Sequence, residues 1–159
     1  MFYDKKFEVA KAIIQAEIIA ENLKPMAIPT FSLPSGFKKF SNPDQRKVVS
    51  AGKREIVYSN SLSSGRVGIA TKIAITYYIG DYIYIYIDGL TLEGNPIERA
   101  IGSYPNTPLR TFLKFYSEIR VEVQNNDTSD HEYGALIDGW EADKKDEDKL
   151  VEMILRGGL

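Results

Sequence analysis

The clearest pattern in the chain is an alternation of apolar and polar positions between residues 66 and 94. From Arg66 to Ile79 the odd positions are mostly β-branched, and from Tyr82 to Ile87 tyrosine alternates with isoleucine. Successive side chains of a strand point to opposite faces of a sheet. The period of two therefore predicts strands with an apolar core face and a second face rich in tyrosine. Further strands are predicted at KREIVYS, residues 53–59, and, as an edge strand, at RVEV, residues 120–123.

A turn at Asp88-Gly89 divides the last part of this pattern. Asp-Gly between alternating hydrophobic residues is a strong signal of a two-residue hairpin loop. Such a loop pairs Ile87 with Leu90 and Tyr86 with Thr91, which sorts the apolar and polar side chains onto separate faces.

The turn at Gly80-Asp81 leaves two registers open. A two-residue loop would mix the faces of the flanking strands, because a shift of one residue moves a whole set of side chains to the other face. A β-bulge would instead place Tyr78 beside Tyr84 and keep the isoleucines together. We expect the bulge.

Apolar residues spaced three and four positions apart predict helices on both sides of the strands. The first helix is predicted over Asp4–Leu23. After the strands, one helix is predicted with Thr107 as its N-cap and Pro108 at its first position, and another from Ser129, where SDHE matches a capping box. The last is an amphipathic helix within DEDKLVEMILRGGL, residues 146–159.

These elements predict an α+β fold in a single domain that spans residues 1–159. An antiparallel β-meander of about four strands would carry the N-terminal helix and two or three C-terminal helices on its isoleucine face, which leaves the face with the tyrosines open. Prolines at positions 25, 29, 34 and 43 exclude a continuous helix, so residues 25–50 are predicted to form an extended, Pro-rich basic arm. Residues 127–159 are predicted to form an acidic helical C-terminal region.

Charge is divided unevenly along the chain, although the formal net charge is only -2. Between Ser35 and Lys72 eight basic residues face two acidic ones, a balance of +6. From Arg120 onward five basic residues face eleven acidic ones, a balance of -6. Such a split is typical of proteins that bind nucleic acid. The alternative is that the two regions meet in the fold and neutralise each other.

Composition removes several classes of chemistry. The chain has no cysteine and one histidine, His131, which excludes disulfides, thiolate nucleophiles and zinc sites built from cysteine or from several histidines. The pattern predicts no membrane span and no signal peptide, so the protein is expected in the cytoplasm. The missing cysteine and the abundant Ile, Tyr, Lys and Glu fit a thermophile, although a low-GC genome gives a similar bias.

The face that carries the tyrosines is the main candidate site. Aromatic side chains on a sheet let unpaired bases stack, at about 1–3 kcal/mol per base, while nearby cations neutralise phosphates. The predicted contact residues combine the aromatic strip, two cations on the same face and the basic arm: Tyr78, Tyr82, Tyr84, Tyr86, Arg66, Lys72, Phe37, Lys38, Lys39, Phe40, Arg46 and Lys47. The alternative is that these rings pack in a protein interface with their hydroxyls at the rim.

Catalytic chemistry has weaker support. Asp44, Asp88 and Glu93 are acids that a metal-dependent nuclease would use, but the acid-x-Lys element of such a motif is missing beside them. His131 lies in a capping box without a nucleophile signature. SLSSGRVG, residues 61–68, leads into a strand, whereas a phosphate-binding P-loop leads into a helix. No catalytic residue, cofactor or metal is predicted.

We therefore expect single-stranded nucleic-acid binding without sequence preference, with DNA ahead of RNA, through the tyrosines and the basic arm. The first alternative is a protein interaction or assembly module that uses the tyrosines as an oligomer interface. A metal-dependent nuclease is the third hypothesis. The apolar first and last helices also predict a dimer or a larger homo-oligomer.

Overall fold

The computed structural model describes residues 33–94 and 101–159, together with Ala10, Ile13 and Ile14. In the two long ranges the chain forms ten strands and then one short α-helix. The strands are β1 (Lys38–Lys39), β2 (Asp44–Val49), β3 (Arg54–Ser61), β4 (Arg66–Ile75), β5 (Tyr82–Ile87), β6 (Leu90–Gly94), β7 (Gly102–Ser103), β8 (Leu109–Phe115), β9 (Glu118–Gln124) and β10 (His131–Asp143). A 3₁₀ turn at Lys144–Asp146 leads into helix α1 (Glu147–Leu155).

The strands form two sheets that pack face to face. In sheet A, β10 and β4 are the central pair, with β1 and β2 on one side and β7 and β8 on the other. In sheet B the order is β3, β9, β5, β6. The pairings are antiparallel except for that of β4 with β7. The described chain is therefore a β-sandwich with one helix at its C-terminal end.

The main core lies between the two sheets. Alternation turns Ile83 and Ile85 of β5 inward, where they are buried against side chains of sheet A. Tyr58 of β3 is fully buried in the same core, and its hydroxyl donates a hydrogen bond to the carbonyl of Ile137 in β10 at 3.3 Å. Burial raises the pKa of Tyr58, so this hydroxyl keeps its proton and remains a donor.

A bulge at Thr71 lets β4 contribute to two apolar cores. The pairing of β4 with its neighbours skips this residue, and one extra residue exchanges the two faces of a strand. Ile73 and Ile75 after the bulge point between the sheets, whereas Val67 and Ile69 before it point to the opposite face. The second set is covered by α1.

The predicted α+β fold is wrong, because the isoleucine face is covered by a second sheet and not by helices. Of the predicted C-terminal helices, only α1 forms in the described ranges. The segments expected to be helical from Thr107 and from Ser129 are the strands β8 and β10. In β8 the residues Thr111, Phe112 and Phe115 favour a strand by their branched or aromatic side chains. RVEV is in β9, at the centre of sheet B and not at its edge.

Two glycines explain why β10 is a strand despite its helix-like spacing. A Cβ at Gly134 would lie 2.2 Å from the ring of Tyr104, and one at Gly139 would lie 2.5 Å from the ring of Phe40. In a helix each glycine costs about 1 kcal/mol relative to alanine. In β10 they leave room for aromatic rings that pack on the two faces of sheet A.

The two turns within the tyrosine-rich segment have different outcomes. The hairpin at Asp88-Gly89 is confirmed, with Ile87 opposite Leu90 and the remaining pairs in the predicted register. Both registers considered for Gly80-Asp81 are wrong, because β4 belongs to sheet A and β5 belongs to sheet B. The intervening residues 76–81 cross from one sheet to the other.

The predicted N-terminal helix over Asp4–Leu23 falls almost wholly outside the described residues, as do residues 25–32 of the predicted arm. From residue 33 onward the arm segment contributes β1 and β2 to sheet A. None of the helices in the described part of the chain has the length and apolar content that a bilayer crossing requires.

Candidate functional site

Three tyrosines of β5 lie side by side on the outer face of sheet B. Because Ile83 and Ile85 point into the core, the alternation of the strand turns Tyr82, Tyr84 and Tyr86 outward. Tyr82 is 51% exposed, and the other two are half-buried. We name this surface the tyrosine face and define it by Tyr82, Tyr84, Tyr86, Arg54, Arg120, Glu118 and Glu122.

Two arginines from neighbouring strands cover the rings. The Cζ atom of Arg54, at the start of β3, is 3.5 Å from the centre of the Tyr84 ring, and a guanidinium nitrogen donates a hydrogen bond to the hydroxyl of Tyr86. The Cζ atom of Arg120, in β9, is 4.4 Å from the centre of the Tyr86 ring, which is its cross-strand partner. Each guanidinium over a ring contributes about 0.5–2 kcal/mol, so the rings and the cations hold each other in place.

The positive charges are balanced within the face. Glu122 lies opposite Tyr84 in register and accepts hydrogen bonds from Nε and Nη2 of Arg54 at 3.1 and 2.9 Å. Arg120 lies 3.4 Å from Glu118 and 3.9 Å from Glu122. Partial burial disfavours the charge of Arg54, but the hydrogen bond and the charge of Glu122, together with the two tyrosines, outweigh it and raise the pKa of Arg54. Within the tyrosine face, the two arginines are therefore paired with two glutamates.

Sheet A and sheet B differ in what covers their outer faces. Helix α1 packs on sheet A, where Leu150 is fully buried against Val67 and Ile69. In the described ranges no helix packs on sheet B, and Ile56, opposite Glu122 in register, is 42% exposed. Aromatic, cationic and apolar side chains are therefore accessible together on one sheet face.

Tyr78, which was predicted to join the other tyrosines, lies at one end of the sandwich in the crossover between the sheets. Its ring stacks on that of His131, with the centres 4.1 Å apart, and its hydroxyl donates a hydrogen bond to the carbonyl of Glu132 at 3.3 Å. Nε2 of His131 lies 2.8 Å from Oδ2 of Asp127. The ring contacts of Tyr78 are thus with His131 and Tyr133 of β10, and not with the β5 tyrosines.

The two cations predicted in β4 lie in the other sheet. The side chain of Arg66 is 15% exposed and forms ion pairs with Glu141 and Asp143 at 3.0 and 2.9 Å. Lys72 is exposed on sheet A, opposite Asp138 in register. The structure therefore does not bring them to the same surface as Tyr84.

The described part of the predicted basic arm is integrated into the sandwich. Phe37 is buried beneath α1, and Phe40 is buried in the main core with its ring centre 5.7 Å from that of Phe115. The cations of the arm form ion pairs, namely Lys38 with Glu141 at 3.1 Å, Lys39 with Asp138 at 3.7 Å, Arg46 with Glu132 at 3.8 Å and Lys47 with Glu55 at 2.6 Å. Three of these four pairs join the basic and acidic regions of the sequence, as the alternative interpretation of their charges proposed.

Asp88, considered above as a metal ligand, binds the backbone. Its carboxylate accepts hydrogen bonds from the N–H groups of Tyr116, Ser117 and Glu118 at 3.0, 2.7 and 3.2 Å, and from the hydroxyl of Ser117 at 2.9 Å. The side chain of Glu93 lies outside the described part of the structure. Among the described residues, no three His, Asp or Glu side chains come together as a metal site requires.

Arg54, Arg120 and Glu122 are members of the tyrosine face that sequence patterns did not identify. Their strand assignments were available, since Arg54 lies in KREIVYS and the other two lie in RVEV. The missing information was that β9 pairs between β3 and β5. That pairing joins segments far apart in the sequence, for which local alternation gives no signal.

Comparisons with known proteins assign no family to the chain. No protein-family model and no curated protein matches it. The crystal structure of FLHE is similar over 66% of this chain and 98% of its own chain, with 8% sequence identity and a TM-score of 0.32. A structure of infectious bursal disease virus, Gt strain, is similar over 74% of this chain and 37% of its own, with 11% identity and a TM-score of 0.33. Likenesses at this level carry no argument about fold or function.

Proposed function

We propose that this protein is a protein-interaction module that binds a partner protein through the tyrosine face. The observation that carries the proposal is a sheet face, uncovered in the described ranges, on which tyrosine rings and arginines are packed together with their charges balanced. Tyrosine and arginine are enriched where proteins bind each other, because both offer a large contact area with directed hydrogen bonds.

The charge of the face favours a protein over a polyanion. Nucleic-acid affinity depends on cations that are free to neutralise phosphates. Here Arg54 is held by Glu122, and Arg120 lies between Glu118 and Glu122. A face whose arginines are paired with its own glutamates fits a partner surface of mixed charge better than a polyanion.

The ring geometry supports the same choice. Base stacking needs an open aromatic face, but the Arg54 guanidinium lies over Tyr84 and that of Arg120 lies over Tyr86. In these pairs the rings and the guanidinium groups are already packed against each other before a partner binds. Preorganisation of this kind lowers the entropy cost of association.

Site-specific photo-cross-linking in cells of the source organism tests the proposal. A benzoylphenylalanine is introduced at Tyr82, which is 51% exposed on the tyrosine face, and, as a matched control, at Val48, which is 56% exposed on sheet A. We expect irradiation to give a discrete protein adduct from position 82 and not from position 48.

The adduct also separates the competing hypotheses. If the adduct contains a second copy of this chain, the protein forms a homo-oligomer through the tyrosine face, which is one form of the proposed function. An adduct that nuclease digestion removes would support single-stranded nucleic-acid binding instead. Absence of an adduct at position 82, or the same adduct from both positions, would contradict the proposal.

A further inference from the structure

Strand β6 presents an unpaired edge next to the tyrosine face. It pairs with β5 on one side, and within the described residues no strand pairs with its other side. The opposite edge of sheet B differs, because the side-chain amide of Gln45 donates to the carbonyl of Ser59 in β3 at 2.9 Å and accepts from its N–H at 3.2 Å. Sheet B therefore has one protected edge and one that is open in the described structure.

Hairpin geometry identifies the backbone groups that point outward from β6. The two-residue loop places Ile87 and Leu90 at its ends, where they form a hydrogen-bonded pair. In an antiparallel ladder such pairs alternate with pairs that form no hydrogen bonds to each other. Thr91 and Glu93 occupy the alternate positions, so their N–H and C=O groups point away from β5.

The side chains of β6 indicate which kind of peptide segment could pair with its edge. Leu92 packs partly against the main core, and Leu90 is 75% exposed at the end of the hairpin. On the other face of the strand, Thr91 lies opposite Tyr86. A strand added beside β6 would therefore place alternate apolar residues along the core side and polar residues beside the tyrosine face.

The edge also lacks the strongest of the features that prevent strand addition. Natural edge strands are often protected by proline, by charged residues, above all lysine, or by a bulge. LTLEG has one charged residue, Glu93, but it contains neither proline nor lysine and pairs with β5 in regular register. Unpaired backbone donors and acceptors along a strand are specific for another extended chain.

We propose that β6 binds an extended segment of the partner protein as an additional strand of sheet B. This inference rests on the proposed function and specifies its mode: backbone hydrogen bonds to Thr91 and Glu93 give affinity, and contacts with the tyrosine face give specificity. The segment that fits has apolar and polar residues in alternation.

Selection of peptides provides the test. A displayed random library of peptides of about ten residues, the length of a long strand, is selected against the full chain. The selected peptides are then measured with the wild type, Thr91→Pro, Thr91→Ala and Tyr84→Ala. Thr91→Pro removes an outward N–H without a ladder bond to β5, and proline is tolerated in edge strands. Thr91→Ala removes the same side chain but keeps the N–H.

We expect the selected peptides to alternate, to protect the amides of Thr91 and Glu93 from hydrogen exchange, and to lose about tenfold or more in affinity with Thr91→Pro and little with Thr91→Ala. Failure to select peptides, or equal affinity for both Thr91 variants without amide protection, would overturn strand addition. Loss with Tyr84→Ala alone would support the tyrosine face and overturn the role of β6. Loss with Thr91→Pro alone would support β6 and contradict the role of the tyrosine face.

Discussion

Asp88 supports the fold in two ways at the scale of a single residue. It has a φ of 51°, and Gly89 has a φ of 81°, so both central residues of the hairpin loop adopt the left-handed conformations that this turn requires. Its carboxylate also accepts hydrogen bonds from three N–H groups where β8 connects to β9. One side chain thus links the β5–β6 hairpin to both sheets.

Replacement of Asp88 by Asn tests this role, because asparagine tolerates the same backbone conformation. Hydrogen bonds to a charged group contribute more than neutral ones, so we expect Asp88→Asn to lower the free energy of unfolding by about 1.5 kcal/mol at pH 7. Burial opposes ionisation of Asp88, but the hydrogen bonds from Ser117, Tyr116 and Glu118 together outweigh it and lower the pKa of Asp88.

The sign of the pH dependence follows from that shift. The carboxylate contributes fully above the pKa of an unfolded Asp, about 3.9, and its contribution is lost as the pH falls through the lower pKa of the folded state. Urea unfolding of wild type and Asp88→Asn should therefore differ at pH 7, and the difference should shrink as the pH falls below about 4. A difference that stays constant over this range would contradict the assigned role.

Helix α1 shows at the scale of elements how a short segment is held on a sheet. The carboxylate of Glu147, in its first turn, accepts hydrogen bonds from Lys114 at 2.6 Å and from the hydroxyl of Tyr116 at 2.9 Å. Leu150 is its fully buried residue and packs against the outward side chains of β4, whereas Leu155 is 68% exposed. Most of the docking energy should come from Leu150.

Two leucine substitutions in α1 separate burial from helix propensity. We expect Leu150→Ala to lower the free energy of unfolding by about 3 kcal/mol, because it leaves a cavity between the helix and β4. Leu155→Ala removes the same atoms at an exposed position and should change the free energy of unfolding by less than about 0.5 kcal/mol. Thermal or urea unfolding measures both. Equal effects would show that α1 does not dock through Leu150.

An element can be predicted from the sequence when the residues that define it are close together in the chain. The β5–β6 hairpin is correct because Asp88-Gly89 and the alternation around it define the register within one short segment. The α1 helix is correct for the same reason. The β4–β5 connection is wrong, because adjacent strands in the sequence belong to different sheets. The bulge at Thr71 likewise depends on pairing with β8 and β10, which the alternation of β4 alone does not indicate.

At the scale of the whole molecule, the main unpredicted feature is the second sheet. β10 has apolar residues at helical spacing, and only its packing against Tyr104 and Phe40 explains its glycines. The same tertiary arrangement brings acidic β10 beside basic β1, β2 and β4, so a charge division in the sequence becomes a set of ion pairs. The direction of Tyr82, Tyr84 and Tyr86 was predictable from alternation, but their cations were not.

The two sheets also differ in what covers their outer faces. Sheet A is covered by α1 on part of its outer face, whereas the described structure places no helix on the tyrosine face of sheet B. Balanced charges and fixed rings make that face suited to a protein partner. Binding through it should depend on ring packing and only weakly on salt, because little net charge is neutralised.

The most direct measurement is the affinity of the partner that is cross-linked at position 82, determined by calorimetry for wild type, Tyr84→Ala and the control Leu155→Ala. The account predicts that Tyr84→Ala weakens binding about tenfold or more, that Leu155→Ala leaves it unchanged, and that added salt has little effect on the wild type. Wild-type affinity in a folded Tyr84→Ala variant would contradict the assignment of the tyrosine face as the binding site.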